Sequence, residues 1–183
     1  MNIHLDRKFV VRRLNKRDLY ALLFFYNSIN TDQNIRKHYR FLNRNNILNR
    51  AVSYLYIRSL FRLQKLYNLI GKNTVFFASI NLSDSNIAGI SHLSIDRSNS
   101  FAILGLAVLS EHAGQGLGKE LLSDAIEFGK NFGLQKILLE VDIDNYRARH
   151  VYEKLCFKVT NSLPRHKVFR TRLPNSVWME LEL

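Results

Sequence analysis

Short apolar runs, set apart by polar turns, occupy most of the chain, and a few longer stretches repeat their apolar positions every three to four residues. Phe9 to Leu14 reads as a first strand. Asn15 then offers an N-cap, with Asp18 three residues on in a capping-box position. Leu19, Leu22, Leu23, Tyr26 and Ile29 follow at helical spacing. Residues 30–46 are polar and basic and read as a loop or short helix. A further helix is expected from about Ile47 to about Ile70, ending at Gly71, with an imperfect stripe through Leu48, Val52, Leu55, Leu60 and Leu63.

Three strands come next, Thr74–Leu82, Ile87–Ile95 and Phe101–Leu109. Asp84 to Asn86 and Arg97 to Asn99 make the turns, so an antiparallel meander is expected. A glycine-rich loop leads into a helix over 116–132, with a core face through Leu117, Leu121, Leu122, Ala125 and Ile126 and a cap at Gly133. Lys136–Ile143 is an apolar strand, Tyr146–Leu155 a short helix, and Phe157–Leu163 and Ser176–Leu183 two closing strands. The strand, helix, strand order across Leu104–Ile143 requires a parallel crossover within a mixed sheet.

The chain has 183 residues, enough to bury one core without cross-links and short for two, so a single domain over 1–183 is expected. Cys156 is the one cysteine, which excludes an intramolecular disulfide, and no Cys/His cluster has metal-site spacing. The amino terminus lacks an apolar leader and no apolar run approaches the length of a membrane span. The expectation is a cytoplasmic protein with no membrane partner and no metal. The net charge of +12 is lopsided. Residues 1–80 hold fifteen Lys/Arg against three acids, whereas residues 81–183 hold twelve of each. A basic half fits an anionic partner or a solvated face.

Gly114-Gln115-Gly116-Leu117-Gly118-Lys119 stands between a strand and a helix. Its glycines let the backbone approach a ligand, and the free N–H groups and positive end of the following helix favour an anion such as a pyrophosphate. Lys119 adds a formal charge. The dinucleotide fingerprint needs G-x-G-x-x-G after the first strand, and the Walker loop needs G-x-x-x-x-G-K followed by Ser or Thr. Neither fits, since the spacing here is G-x-G-x-G and Glu120 follows Lys119.

With its preceding strand, this loop resembles the acyl-CoA motif of the GNAT superfamily of N-acyltransferases, over Leu104 to Leu122. A second match lies in Leu139 to Val141, Asn145, Ala148, and Tyr152 to Phe157, which resembles the later strand and helix of that family. The resemblance covers roughly residues 75–160. It implies an α/β fold of the α+β kind, a central mixed, mostly antiparallel sheet of about seven strands flanked by helices. It also implies an acetyl-CoA-dependent N-acetyltransferase that needs no metal. Two positions depart from the family pattern: Ala113 stands where Gln or Arg is usual, and Cys156 where Gly is usual. Cys156 is expected to pack as a small apolar residue.

By that resemblance, Leu106, Ala107 and Val108 pair with the pantetheine arm, and a bulge in their strand aims a backbone N–H, that of Val108, at the thioester carbonyl. Gly114, Gln115, Gly116, Leu117, Gly118 and Lys119 hold the pyrophosphate. Asn145 contacts the cofactor arm and caps the helix that begins at Tyr146. Tyr152 is the general acid for the leaving thiolate. Glu140, a carboxylate in an apolar strand, is the candidate base, with a structural ion pair as its alternative. His92 is a weaker rival base facing the acceptor, and His112 is expected in solvent.

The acceptor is expected between two basic segments, 34–50 (Arg36, Lys37, Arg40, Arg44, Arg50) and 161–175 (Arg165, Lys167, Arg170, Arg172), with His38 and His166 nearby. That arrangement favours an anionic small-molecule or protein amine and disfavours polyamines. The alternative is a catalytically silent module of the same fold that senses acyl-CoA or binds RNA or the ribosome through its basic half. Nucleic acid is the less favoured partner, and both monomer and homodimer stay open.

Overall fold

A computed structural model describes residues 8–33, 35, 72–96, 100–163 and 175–183. The strands are β1 (Phe9–Arg13), β2 (Lys72–Asn81), β3 (Ile87–Asp96), β4 (Phe101–Val108), β5 (Lys136–Asp142), β6 (Lys158–Val159) and β7 (Ser176–Glu182). The helices among these residues are α1 (Leu19–Thr31), α2 (Leu117–Phe132) and α3 (Tyr146–Lys154). The strands form one sheet in the order β1-β2-β3-β4-β5-β7-β6. Every neighbouring pair is antiparallel except β4 and β5, which α2 joins by a crossover. The α/β fold class read from the sequence, with its mixed and mostly antiparallel sheet, is therefore the one observed.

Side-chain alternation along the strands divides the core between the two sheet faces. On one face α2 lays Leu121, Leu122 and Ala125 against Leu93, Leu104, Ile137 and Leu139. Ser91, fully buried on that face, donates its hydroxyl to the Leu121 carbonyl at 3.1 Å and ties α2 to β3. On the other face α1 packs Leu22, Phe25 and Ile29 over Ala78, Ile90 and Ala107. Further along that face, Phe101, Leu138 and Trp178 form a separate cluster. The lead into α1 follows the expected capping pattern. The Asp18 carboxylate accepts the Asn15 N–H at 2.8 Å, and Asn15 Oδ1 accepts the Arg17 N–H to open a short 3-10 turn.

Three expectations change. The β3–β4 register runs unbroken from Gly89↔Val108 to Asp96↔Phe101, so β4 carries no bulge. The sheet's irregularity lies instead at Ser79/Ile80, where β2 meets β3. The strand expected over 157–163 shrinks to Lys158–Val159, because the Phe157 N–H turns back to the Tyr152 carbonyl at 3.0 Å and ends α3. The Ile47–Ile70 helix and the Arg97–Asn99 turn lie outside the described residues.

Candidate functional site

The phase of the β3–β4 ladder decides which edge of β4 is free. Leu109 donates its N–H to Ala88 at 2.9 Å across that ladder. In an antiparallel pair, bonded and non-bonded positions alternate. Val108 and Leu106 therefore turn their N–H and C=O groups away from β3, toward β5. There β5 pairs with β4 only from Phe101 to Ile103, while its other edge stays with β7 all the way to Asp142. The two central strands thus part after Ile103, leaving the Leu106–Val108 edge of β4 facing a gap. The gap opens into a cavity of about 700 Å³ lined by Leu106 and Val108.

At one end of the cavity lies the glycine-rich loop. Gly114 and Gly116 hold φ of +86° and +80°, a region where a side chain would be strained. The Gly116 carbonyl accepts the N–H groups of Lys119 and Glu120, so those of Leu117 and Gly118 have no partner within the helix and project from the start of α2. Gly114, Gly116, Leu117, Gly118 and Lys119 all line the cavity, whereas Gln115 is exposed and does not. The loop is fastened from the far side of the sheet. The Asp32 carboxylate, at the end of α1, accepts the Ser110 N–H at 3.0 Å, the Ser110 hydroxyl at 2.8 Å and the Ile35 N–H at 3.2 Å.

Helix α3 forms the opposite wall. Asn145 is its N-cap, its Oδ1 accepting the Ala148 N–H at 3.2 Å, and it lines the cavity. Tyr152 lies seven residues on, on a buried face beside Phe157, and lines the same cavity. Burial pushes its phenol up to about 12, so the hydroxyl stays protonated throughout the neutral range. The sequence reading missed Arg147, His150 and Lys154, which also reach the cavity from α3. Their spacing of i, i+3 and i+7 is the available signal, since it places all three on one side of the helix.

Other expected site residues lie elsewhere. Ala107 faces the α1 side and is buried there. Glu140 shares that sheet face with Leu138 by alternation and is absent from the cavity wall. Its Oε1 accepts the Ser176 hydroxyl at 2.5 Å across β5 and β7. His92 lies on the same face, beside Phe76 and over Gly105, and burial holds its imidazole at about 4, hence neutral near pH 7. His112 packs edge-on against Phe9 at 5.4 Å and lines the cavity instead of facing solvent. Cys156 is exposed, with φ +67°, so it does not pack as an apolar residue. The basic positions Arg36, Lys37, Arg40, Arg44, Arg50, Arg165, Lys167, Arg170 and Arg172, with His38 and His166, lie outside the described residues. No helix among the described residues is long and apolar enough to cross a membrane.

Residues 42–157 match the model of the acetyltransferase (GNAT) family. An N-alpha-acetyltransferase 30 from Schizosaccharomyces pombe is 40% identical over 52 residues, 28% of this chain. That match spans only 35% of the curated relative's length. The spermidine N-acetyltransferase of Vibrio cholerae, solved with CoA and spermine, is similar in fold with a TM-score of 0.68 at 21% identity, over 96% of this chain and 95% of that one. An acetyltransferase of the GNAT family from Streptococcus pneumoniae gives 0.68 at 20% identity, over 96% and 99%. Salmonella typhimurium yncA, solved with its cofactor acetyl-CoA, gives 0.65 at 19% identity, over 96% and 94%.

Proposed function

This chain belongs to the acetyltransferase (GNAT) family of enzymes, and from that premise we propose that it moves an acetyl group from acetyl-CoA to the primary amine of a small-molecule or protein acceptor. The observation that carries the reading is the parting of β4 and β5. It leaves the free edge of Leu106 and Val108 in one cavity with the Gly114–Lys119 loop and with Tyr152. A pantetheine arm can pair with that edge as a strand would. The loop and the start of α2 then receive the diphosphate. The Asn145 side-chain NH2 group, which its Oδ1 cap leaves unused, is available to the arm.

The amine nitrogen attacks the thioester carbon, and the Val108 N–H steadies the oxyanion that forms. Collapse breaks the carbon–sulfur bond, and Tyr152 gives its proton to the departing thiolate. The proton released by the attacking amine passes to Glu140, directly or through water. Glu140 lies two residues beyond the last β4–β5 pair, at the mouth of the gap on the α1 face. The acceptor in this reading approaches from that face. Polycationic acceptors are disfavoured by a net charge of +12. The local identity to an N-alpha-acetyltransferase puts peptide amino termini beside anionic small-molecule amines as the acceptors of first choice.

The test is thiol release from acetyl-CoA across peptides, amino sugars, amino acids, nucleotide-linked amines and polyamines. Turnover with one class, lost in Tyr152→Phe by about 10²-fold while acetyl-CoA still binds, is the expected result. Binding without turnover on every acceptor would favour the acyl-CoA-sensing alternative.

A further inference from the structure

We infer that Arg147 supplies the cation that holds the coenzyme diphosphate, the part left vacant by Ala113 in the loop. The inference rests on the acetyl-CoA reading of the cavity. Position 113 is exposed and extended, with φ −65° and ψ 144°, so its backbone would accept an arginine or glutamine without strain, yet it carries only a methyl group. The neighbouring Gly114 shows what stands close by. A methyl group placed there would lie 3.4 Å from Arg147 Nη2. The guanidinium of α3 therefore reaches across the cavity to the glycine-rich loop, to the same corner where the N–H groups of Leu117 and Gly118 project.

Arg147 is unengaged in this position. It makes no hydrogen bond or ion pair with the described residues, whereas Arg149 on another side of α3 is bound to the Ile143 carbonyl and lies 3.8 Å from Glu153. The other charges on the cavity wall suit a polyanion. Lys119 stands on α2, and Lys154 stands on α3 with His150 beside it on the wall. Asp144 is the one carboxylate among the described lining residues, and the Asn175 side chain hydrogen-bonds it at 2.8 Å. A diphosphate offers paired oxygens, and the planar guanidinium matches two of them at once, which the point charge of Lys119 does not. In this arrangement the helix that carries Asn145 and Tyr152 also grips the phosphates, so one rigid element locates both ends of the coenzyme.

Calorimetric titration of the full chain with acetyl-CoA tests the assignment. Arg147→Ala should weaken binding about tenfold, with the unliganded melting temperature unchanged because the side chain is exposed. The loss should shrink as salt is raised. Ala113→Arg in the Arg147→Ala background should recover most of the affinity, and Lys130→Ala, in the last turn of α2, should change nothing. An Arg147→Ala chain that binds as tightly as the parent, or a double variant as weak as the single one, overturns the role of Arg147 while leaving the coenzyme site in place. A parent chain that takes up no acetyl-CoA overturns the coenzyme reading and this role with it.

Discussion

A methyl group on Gly105 would lie 2.2 Å from His92 Cε1, which makes this glycine a condition for the imidazole to lie across β4. Gly105→Ala should therefore destabilise the protein by about 2 kcal/mol, as overpacking does. Most of that loss should vanish when His92→Ala is added, so a denaturant double-mutant cycle should return a coupling well above additivity. Cys156 presents the reverse case. It sits at φ +67° with its side chain exposed, in a conformation that costs a residue with a Cβ more than it costs glycine. Cys156→Gly should raise stability by about 0.5–1 kcal/mol in chemical denaturation, once the greater freedom of glycine in the unfolded chain is deducted. Gly114 and Gly116 could be read from the sequence because glycine is the usual occupant of such a backbone. The strain at Cys156 could not, because cysteine carries no such signal, and only the departure from the family pattern marked the position.

Among the elements, the strand order around α2 was legible, since a strand, a helix and a strand in succession leave little choice but a parallel crossover. The parting of β4 and β5 was not. It depends on three residue pairs and on β7, which arrives from the far end of the chain to hold the other edge of β5. The Asp32–Ser110 contact was hidden for the same reason, its partners standing 78 positions apart in the chain. Glu140 stands out in the sequence as a carboxylate in an apolar strand, but Ser176, which donates a hydrogen bond to it, lies on another strand. Helix α3 was placed correctly by Asn145, whose two suggested roles can now be separated. Asn145→Ala removes the acceptor for the Ala148 N–H and should cost about 1 kcal/mol. Asn145→Asp keeps that acceptor and adds a charge the helix start favours, so melting should hold at the parent value. Acetyl-CoA affinity should fall in both variants, because both lose the side-chain NH2 group. Unchanged affinity in both would leave Asn145 as a cap alone.

At the scale of the whole molecule, the two titratable side chains most altered by burial among the described residues lie on opposite sheet faces and bound the pH range of full stability from opposite sides. His92 is held at about 4 against an ordinary value of 6.5, so the unfolded chain binds its proton first as pH falls. Its contribution is complete above pH 6.5 and is lost as pH drops through 4, an effect on the order of 3 kcal/mol. Asp18, kept low chiefly by its hydrogen bond from Arg12, adds its own loss only below the ordinary carboxylate value of 3.8, so the two acid effects separate. Tyr152 is raised to about 12 from 10.0, so its contribution is complete below pH 10 and is lost as pH rises through 12. Denaturant midpoints measured against pH should therefore show a plateau with a shoulder on each side. His92→Leu, which has no proton to bind, should remove the shoulder between pH 6.5 and 4 and leave the alkaline limb alone. Tyr152→Phe should do the opposite. A variant that shifts the whole curve without changing its shape would mean that the replaced group does not titrate differently in the folded and unfolded chain. For Tyr152 that outcome would also remove the buried, protonated phenol on which its role as proton donor depends.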